Sequence, residues 1–171
     1  MNNLDNIFND QKYMFIVQDI LSNPCFGEIR ECRHHGMNRL DHSIRVSYYS
    51  YKLARKMHLN YREVARGGLL HDFFVQDDLS YRKQKFSLFF HPYASLKNAE
   101  KYFDLTERER DIIITHMFPS LPHKVPKYME SWVVSLVDKI VATYEFYCSY
   151  AKNYVYKLSN MYIVLFILFS W

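Results

Sequence analysis

Apolar residues recur along most of the chain at the spacing of helices rather than of strands. Phe8, Met14, Phe15, Val17, Ile20 and Leu21 outline a loosely amphipathic N-terminal helix that stops near Asn23-Pro24. A second helix is predicted from about Asn38 to Met57. A step of about 100° per residue gathers Val46, Tyr49, Leu53 and Met57 on one apolar face there, and His42 shares that face. Asn60 followed three residues later by Glu63 has the spacing of a capping box and starts a third helix, which leaves His71 and Asp72 at its C-terminal end. Residues 75 to 90 show no sustained period and read as a loop with a short helical turn. His91-Pro92 then opens a helix through about Phe103, because proline suits the first helical position, so His91 is expected at its N-terminus. Thr106 with Glu109 repeats the capping-box spacing and begins a helix that reaches His116 before the Pro119 and Pro122 loop. The last helix begins near Ser131. It carries Val133, Leu136, Val137, Ile140, Val141 and Tyr144 on one side, with Asp138 away from them among Ser131, Ser135 and Ala142.

Composition narrows this to one all-α unit. A chain of 171 residues, 49% of them apolar, can bury one core, and four glycines with five prolines leave little material for the turns of a β-sandwich. There is no repeat, low-complexity tract or linker, so residues 1–171 are expected to form a single domain, with 1–33 as an N-terminal packing helix and 151–171 as an apolar tail. Within that tail Met161 to Phe169 is continuously apolar but shorter than the roughly 20 residues of a membrane span. Burial in the core or in a homodimer contact is the expected use.

Charge and cysteine content add location and partner class. The net charge of +4 and pI near 8.8 favour small anionic ligands, while the lack of a polybasic block argues against stable nucleic-acid binding. Cys25, Cys32 and Cys148 have no CxxC spacing and read as reduced thiols. The start, MNNLDNIFND, lacks a basic stretch followed by an apolar one, and the expected location is cytoplasmic.

The candidate chemistry begins with His71-Asp72. At a helix end the chain leaves helical geometry, so adjacent side chains can converge on one ion. An imidazole with a carboxylate suits iron, manganese, zinc, cobalt or nickel. The doublet alone is a short signal. It gains weight from the order His42, His71-Asp72, Asp138, whose first and last members sit on separate predicted helices, and from Gly67, which is expected to remove bulk beside the His71 imidazole.

The stretches NRLDHSIRVSYYSYKLARKM, REVARGGLLHDFF and SLVDKIVAT resemble the HD superfamily of metal-dependent phosphohydrolases over roughly residues 34 to 145. The resemblance implies an HD-type helical bundle with a metal site in a central cleft. It also implies His42, His71, Asp72 and Asp138 as ligands of a divalent transition metal. His91 and His116 match the extra ligands of two-metal members, in which Asp72's counterpart bridges the ions. The implied reaction is attack of a metal-activated water on a phosphomonoester or phosphodiester of a nucleotide or similar small anion. For that reaction Arg39, three residues before His42, could hold the phosphate in two hydrogen bonds, with Lys139 and Lys83 less well placed. Asp77 or Asp78 could take the proton of the attacking water. The same ligand order also serves HD-fold di-iron oxygenases, and a non-catalytic module held together by metal is a third reading.

Plainer explanations stand beside these. His91 could cap its helix and His116 could favour a helix C-terminus through the dipole. Arg39 could pair with Asp41 or Glu63. His34 and His35 read as an exposed loop pair, His58 and His123 as solvated, and most of the 15 tyrosines as packing. The apolar tail has no counterpart in the resemblance.

Overall fold

Small residues, more than large apolar ones, decide how the central helices meet. The computed structural model describes residues 4–31, 33–34, 37–74 and 87–169. Among them are helices α1 (Leu4–Phe8), α2 (Gln11–Leu21), α3 (Pro24–Gly27), α4 (Arg39–Lys56), α5 (Tyr61–Leu70), α6 (Ser87–Tyr102), α7 (Glu107–Thr115) and α8 (Met129–Phe169). The strands β1 (Arg33–His34) and β2 (Met37–Asn38) form a minimal antiparallel pair ahead of α4. The architecture is an all-α bundle, as the periodicity predicts.

Local chemistry explains where α4 starts and stops. The Asn38 side chain accepts from the Asp41 N–H at 2.7 Å. At the other end His58 takes a left-handed φ of 56°. Its N–H donates to the Arg55 carbonyl at 3.3 Å and the Leu59 N–H to that of Ala54 at 3.0 Å, the pattern of a Schellman stop with histidine in glycine's usual place. The predicted face of α4 needs correcting. Val46 is buried, but Tyr49 and Leu53 are only half-buried and Met57 is exposed. The deeply buried strip is Ser43, Ser47, Ser50 and Ala54. A Cβ on Gly68 would lie 3.1 Å from the Ser47 Cα, so this glycine lets α5 press against the α4 backbone. Ser47 donates to the Ala65 carbonyl at 2.6 Å and accepts from the Tyr13 hydroxyl at 2.8 Å, tying α2 to the same pair of helices.

The capping boxes divide. Thr106 and Glu109 make both halves, at 3.2 and 2.9 Å. At α5 only the Asn60 half forms, at 3.4 Å. Glu130 accepts the Asn60 N–H at 3.1 Å instead, and Glu63 pairs with Arg108 at 3.0 Å. The start of α6 also differs from the expectation. Residues 87–90 are helical, so His91 lies beyond the first turn rather than at the N-terminus, and residues 75–86 lie outside those described. Pro92 removes one ladder bond, to the carbonyl of residue 88, and the buried Ser95 and Ala99 hold the rest of the helix to the bundle.

Gly67 does not make room for His71. A Cβ there would stand 2.9 Å from two side-chain carbons of the buried Ile112, so this glycine sets the approach of α5 to α7. Helix propensity alone would make Gly67→Ala stabilising by about 1 kcal/mol. Overpacking costs about 1–3 kcal/mol and should win, since the contact reaches the Cβ of the fully buried Ile112 at 3.0 Å and not only the far end of its side chain. The expected result is a lower urea midpoint at unchanged slope.

The last helix is longer than predicted and its sides are assigned differently. It runs unbroken to Phe169, taking in the apolar tail, and among the described residues no helix is long and apolar enough to cross a membrane. Val133, Val134, Val137 and Val141 join Val46, Val64 and Ile112 in one apolar cluster, whereas Leu136 and Ile140, placed inside by the periodicity, are 56% and 59% exposed. Asp138, Ser131 and Ser135 face the bundle instead. A second cluster, including Tyr13, Ile20, Phe26, Leu40, Ile44 and Leu70, joins the N-terminal helices to α4 and α5.

Candidate metal centre

His42 comes from the first turns of α4, His71 and Asp72 from the end of α5, His91 from α6, His116 from the end of α7 and Asp138 from α8. All six side chains are buried and converge. His42 Nε2 is 3.1 Å and His71 Nε2 3.7 Å from Asp138 Oδ1. Asp72 faces two ways. Its Oδ2 is 4.0 Å from His71 Nε2, while its Oδ1 is 3.3 Å from His91 Nε2 and 3.7 Å from His116 Nε2. Two sets of mutually close donor atoms result, His42/His71/Asp72 and Asp72/His91/His116, with Asp72 common to both.

One local device orients two of these imidazoles. His71 and His116 each occupy a helix C-cap, and each Nδ1–H donates to the carbonyl three residues earlier, Gly68 at 2.8 Å and Ile113 at 2.7 Å. A carbonyl only accepts, so Nδ1 carries the proton and Nε2 presents its lone pair to the centre. The same bond satisfies a carbonyl that the helix end leaves open. The negative ends of α5 and α7 therefore point at the site, a field that favours a cation. Ser135 holds His116 from the other side, its one hydroxyl proton shared between the His116 carbonyl at 2.9 Å and the Phe118 carbonyl at 2.7 Å, and Lys139 Nζ also donates to the His116 carbonyl. Ser131 donates to Asp111 at 2.6 Å. The small residues beside Asp138 thus tie α8 to α7.

Sequence reasoning missed Glu145. This carboxylate is 1% exposed and accepts from His42 Nδ1 at 2.8 Å and from Arg45 at 3.1 Å. Seven residues after Asp138, two helical turns on, it shares that residue's face, and this spacing is the signal that could have found it. Burial opposes charge on His42, yet the hydrogen bonds to Asp138 and Glu145 outweigh it and raise the imidazole to about 10. Burial likewise works against the Asp138 carboxylate, but His42 and His71 hold it well below its ordinary range. His116 moves the opposite way, to about 3, because burial and the neighbouring His91 and His71 outweigh Asp72 and Asp138. The carboxylates thus favour positive charge on the His42 side, a place that a metal ion would take from the Nε2 proton, while His116 on the other side stays neutral and ready to ligate.

Arg39 is not open for two-pronged phosphate binding. It is 4% exposed, donates through one guanidinium nitrogen to the Phe74 carbonyl at 2.5 Å, and lies 3.8 Å above the Phe74 ring. Phe74 in turn stacks on His91, with centroids 5.3 Å apart. Asp77, Asp78 and Lys83 lie outside the described residues, as does His35. His58 and His123 are exposed, and Cys25 and Cys148 are free thiols. Lys139 Nζ lies 3.3 Å from Asp138 at the rim.

The donor set fits a divalent cation. The buried His71 Nε2 has no hydrogen-bond partner among the described residues, and a lone pair left that way is costly unless an ion completes it. Imidazole and carboxylate donors buried at the centre of a helical bundle define a class of metal-binding α-proteins. A family model for the HD domain matches residues 39–143, from the first residue of α4 to the turn of α8 just before Glu145, and the chain belongs to the HD domain family. HD domains bind divalent metals and belong to a superfamily of metal-dependent phosphohydrolases. No curated protein and no solved structure gives a significant match.

Proposed function

We propose that the protein hydrolyses a phosphomonoester or phosphodiester of a nucleotide or similar small anion at a two-ion centre. His42, His71, Asp72 and Asp138 would hold one ion, and Asp72, His91 and His116 the other. The observation that carries this reading is the division of Asp72, one oxygen toward each group of histidines. Divalent ions bound there supply Lewis acidity toward phosphate oxygens and a water of lowered pKa. The chain's own residues do the positioning. His71 and His116 keep their protons on Nδ1, which fixes their direction before any ligand arrives. Arg39 acts through Phe74 to hold the His91 ring, a positioning role in place of phosphate contact. Lys139, half-buried beside Asp138 at the rim, is then the cation best placed for a phosphate oxygen. Asp77 or Asp78, shortly after the His71-Asp72 doublet in the sequence, would take the proton of the attacking water.

The test uses full-length protein purified without added metal. Elemental analysis should find up to two divalent transition ions per chain, and phosphate release from nucleotide mono- and diesters should require them. Oxygen consumption with no phosphate release would move the assignment to the oxygenase chemistry that the same ligand order serves. A protein that holds no ion even when divalent metals are supplied would be a helical module without this reaction.

A further inference from the structure

The opposite end of the bundle carries a second candidate site. A cleft of about 290 Å³ opens where the first turns of α2 and α5 meet the end of α4. Its size lies just under the usual range of small-ligand pockets, roughly 300–1,000 Å³. The buried Ile16 and Tyr51 line it from within, and Phe15, 67% exposed, and Tyr61 offer aromatic surface at its mouth. Lys12, Arg55 and Arg62 complete the lining.

These cations differ from the arginines that hold the bundle together. Arg45, Arg66, Arg108 and Arg110 each engage a carboxylate, and Arg39 is buried on a carbonyl. Lys12, Arg55 and Arg62 make no ion pair among the described residues, although Asp10, one residue before α2, is near enough to act on Tyr51. Arg55 is held in place without being neutralised. It donates to the Tyr51 hydroxyl at 3.1 Å and lies over the Tyr51 and Tyr61 rings at 5.4 and 5.9 Å. A guanidinium fixed this way can offer paired donors to a phosphate, and exposed aromatic faces suit a planar ring. Phosphate and ring together specify a nucleotide.

We propose that this cleft binds a nucleoside monophosphate at a site distinct from the metal centre. His42 and Arg55 lie thirteen residues apart on α4, about 20 Å along the helix, so one small ligand cannot reach both. The inference does not depend on the chemistry at the metal centre.

Isothermal titration of the full chain with AMP and with GMP, in excess EDTA, reads this site without turnover. Saturable 1:1 binding is expected, with adenosine and inorganic phosphate each at least tenfold weaker. The exposed double variant Lys12→Glu/Arg62→Glu should weaken the nucleotide at least tenfold and Phe15→Ala severalfold, while Asp72→Asn leaves it unchanged. Absence of saturable nucleotide binding would overturn the proposal. So would inorganic phosphate binding as well as AMP, which leaves only an anion site, or binding lost in Asp72→Asn and kept in the double variant, which places the nucleotide at the metal centre.

Discussion

Asp72→Asn is expected to strip both ions from the protein and to lower phosphate release by at least about a thousandfold, or about 4 kcal/mol of barrier. The amide keeps the size of the side chain, so no cavity forms and the far-ultraviolet circular dichroism should not change. What is lost is the charge between the two histidine groups, with Oδ1 3.3 and 3.7 Å from His91 and His116 and Oδ2 4.0 Å from His71. His91→Ala and His116→Ala should each remove only the second ion, because His42, His71 and Asp138 still stand around the first. Metal content of dialysed protein separates the two results. Retention of both ions in Asp72→Asn would rule out the shared carboxylate, and loss of both in His116→Ala would mean that the two positions are not independent.

Much of this geometry is legible in the residues because it depends on local rules. Asn38 and Thr106 announce helix starts through their own side chains, and the His-Asp doublet sits where a predicted helix runs out. Periodicity misleads where packing selects small residues. Ser47 reads as polar, yet it lies against the backbone of α5, since close approach of two helices favours a small side chain over an apolar one. Leu136 and Ile140 read as core, but Asp138 and Ser135 require the opposite side of α8. Gly67 is informative for a reason no spacing reveals, because its neighbour Ile112 arrives from another helix. Arg39 shows the same limit, since the Phe74 carbonyl that engages it lies 35 residues away.

Glu145 is the residue whose replacement should best separate ligand positioning from general stability. A metal-binding imidazole commonly donates its second N–H to a carboxylate, and removal of that partner costs about 10- to 100-fold in metal affinity. Here Glu145 accepts from His42 Nδ1 at 2.8 Å, and Arg45 holds its other oxygen at 3.1 Å. Glu145→Ala leaves two donors without an acceptor and should destabilise the fold by about 1–3 kcal/mol. Glu145→Gln keeps one oxygen and most of the volume, so it should recover much of the stability while still weakening the first ion, for want of charge behind His42. The ion held by Asp72, His91 and His116 should be unaffected in both variants, since none of those residues touches Glu145. Metal titration resolves the two affinities, and nitrogen-15 shifts of the His42 ring report whether Nδ1 keeps its proton. A purely structural role predicts lower stability with both affinities intact, and a general loosening predicts that both fall together. Selective loss at the first position, milder in Gln than in Ala, is the outcome the hydrogen-bond geometry requires.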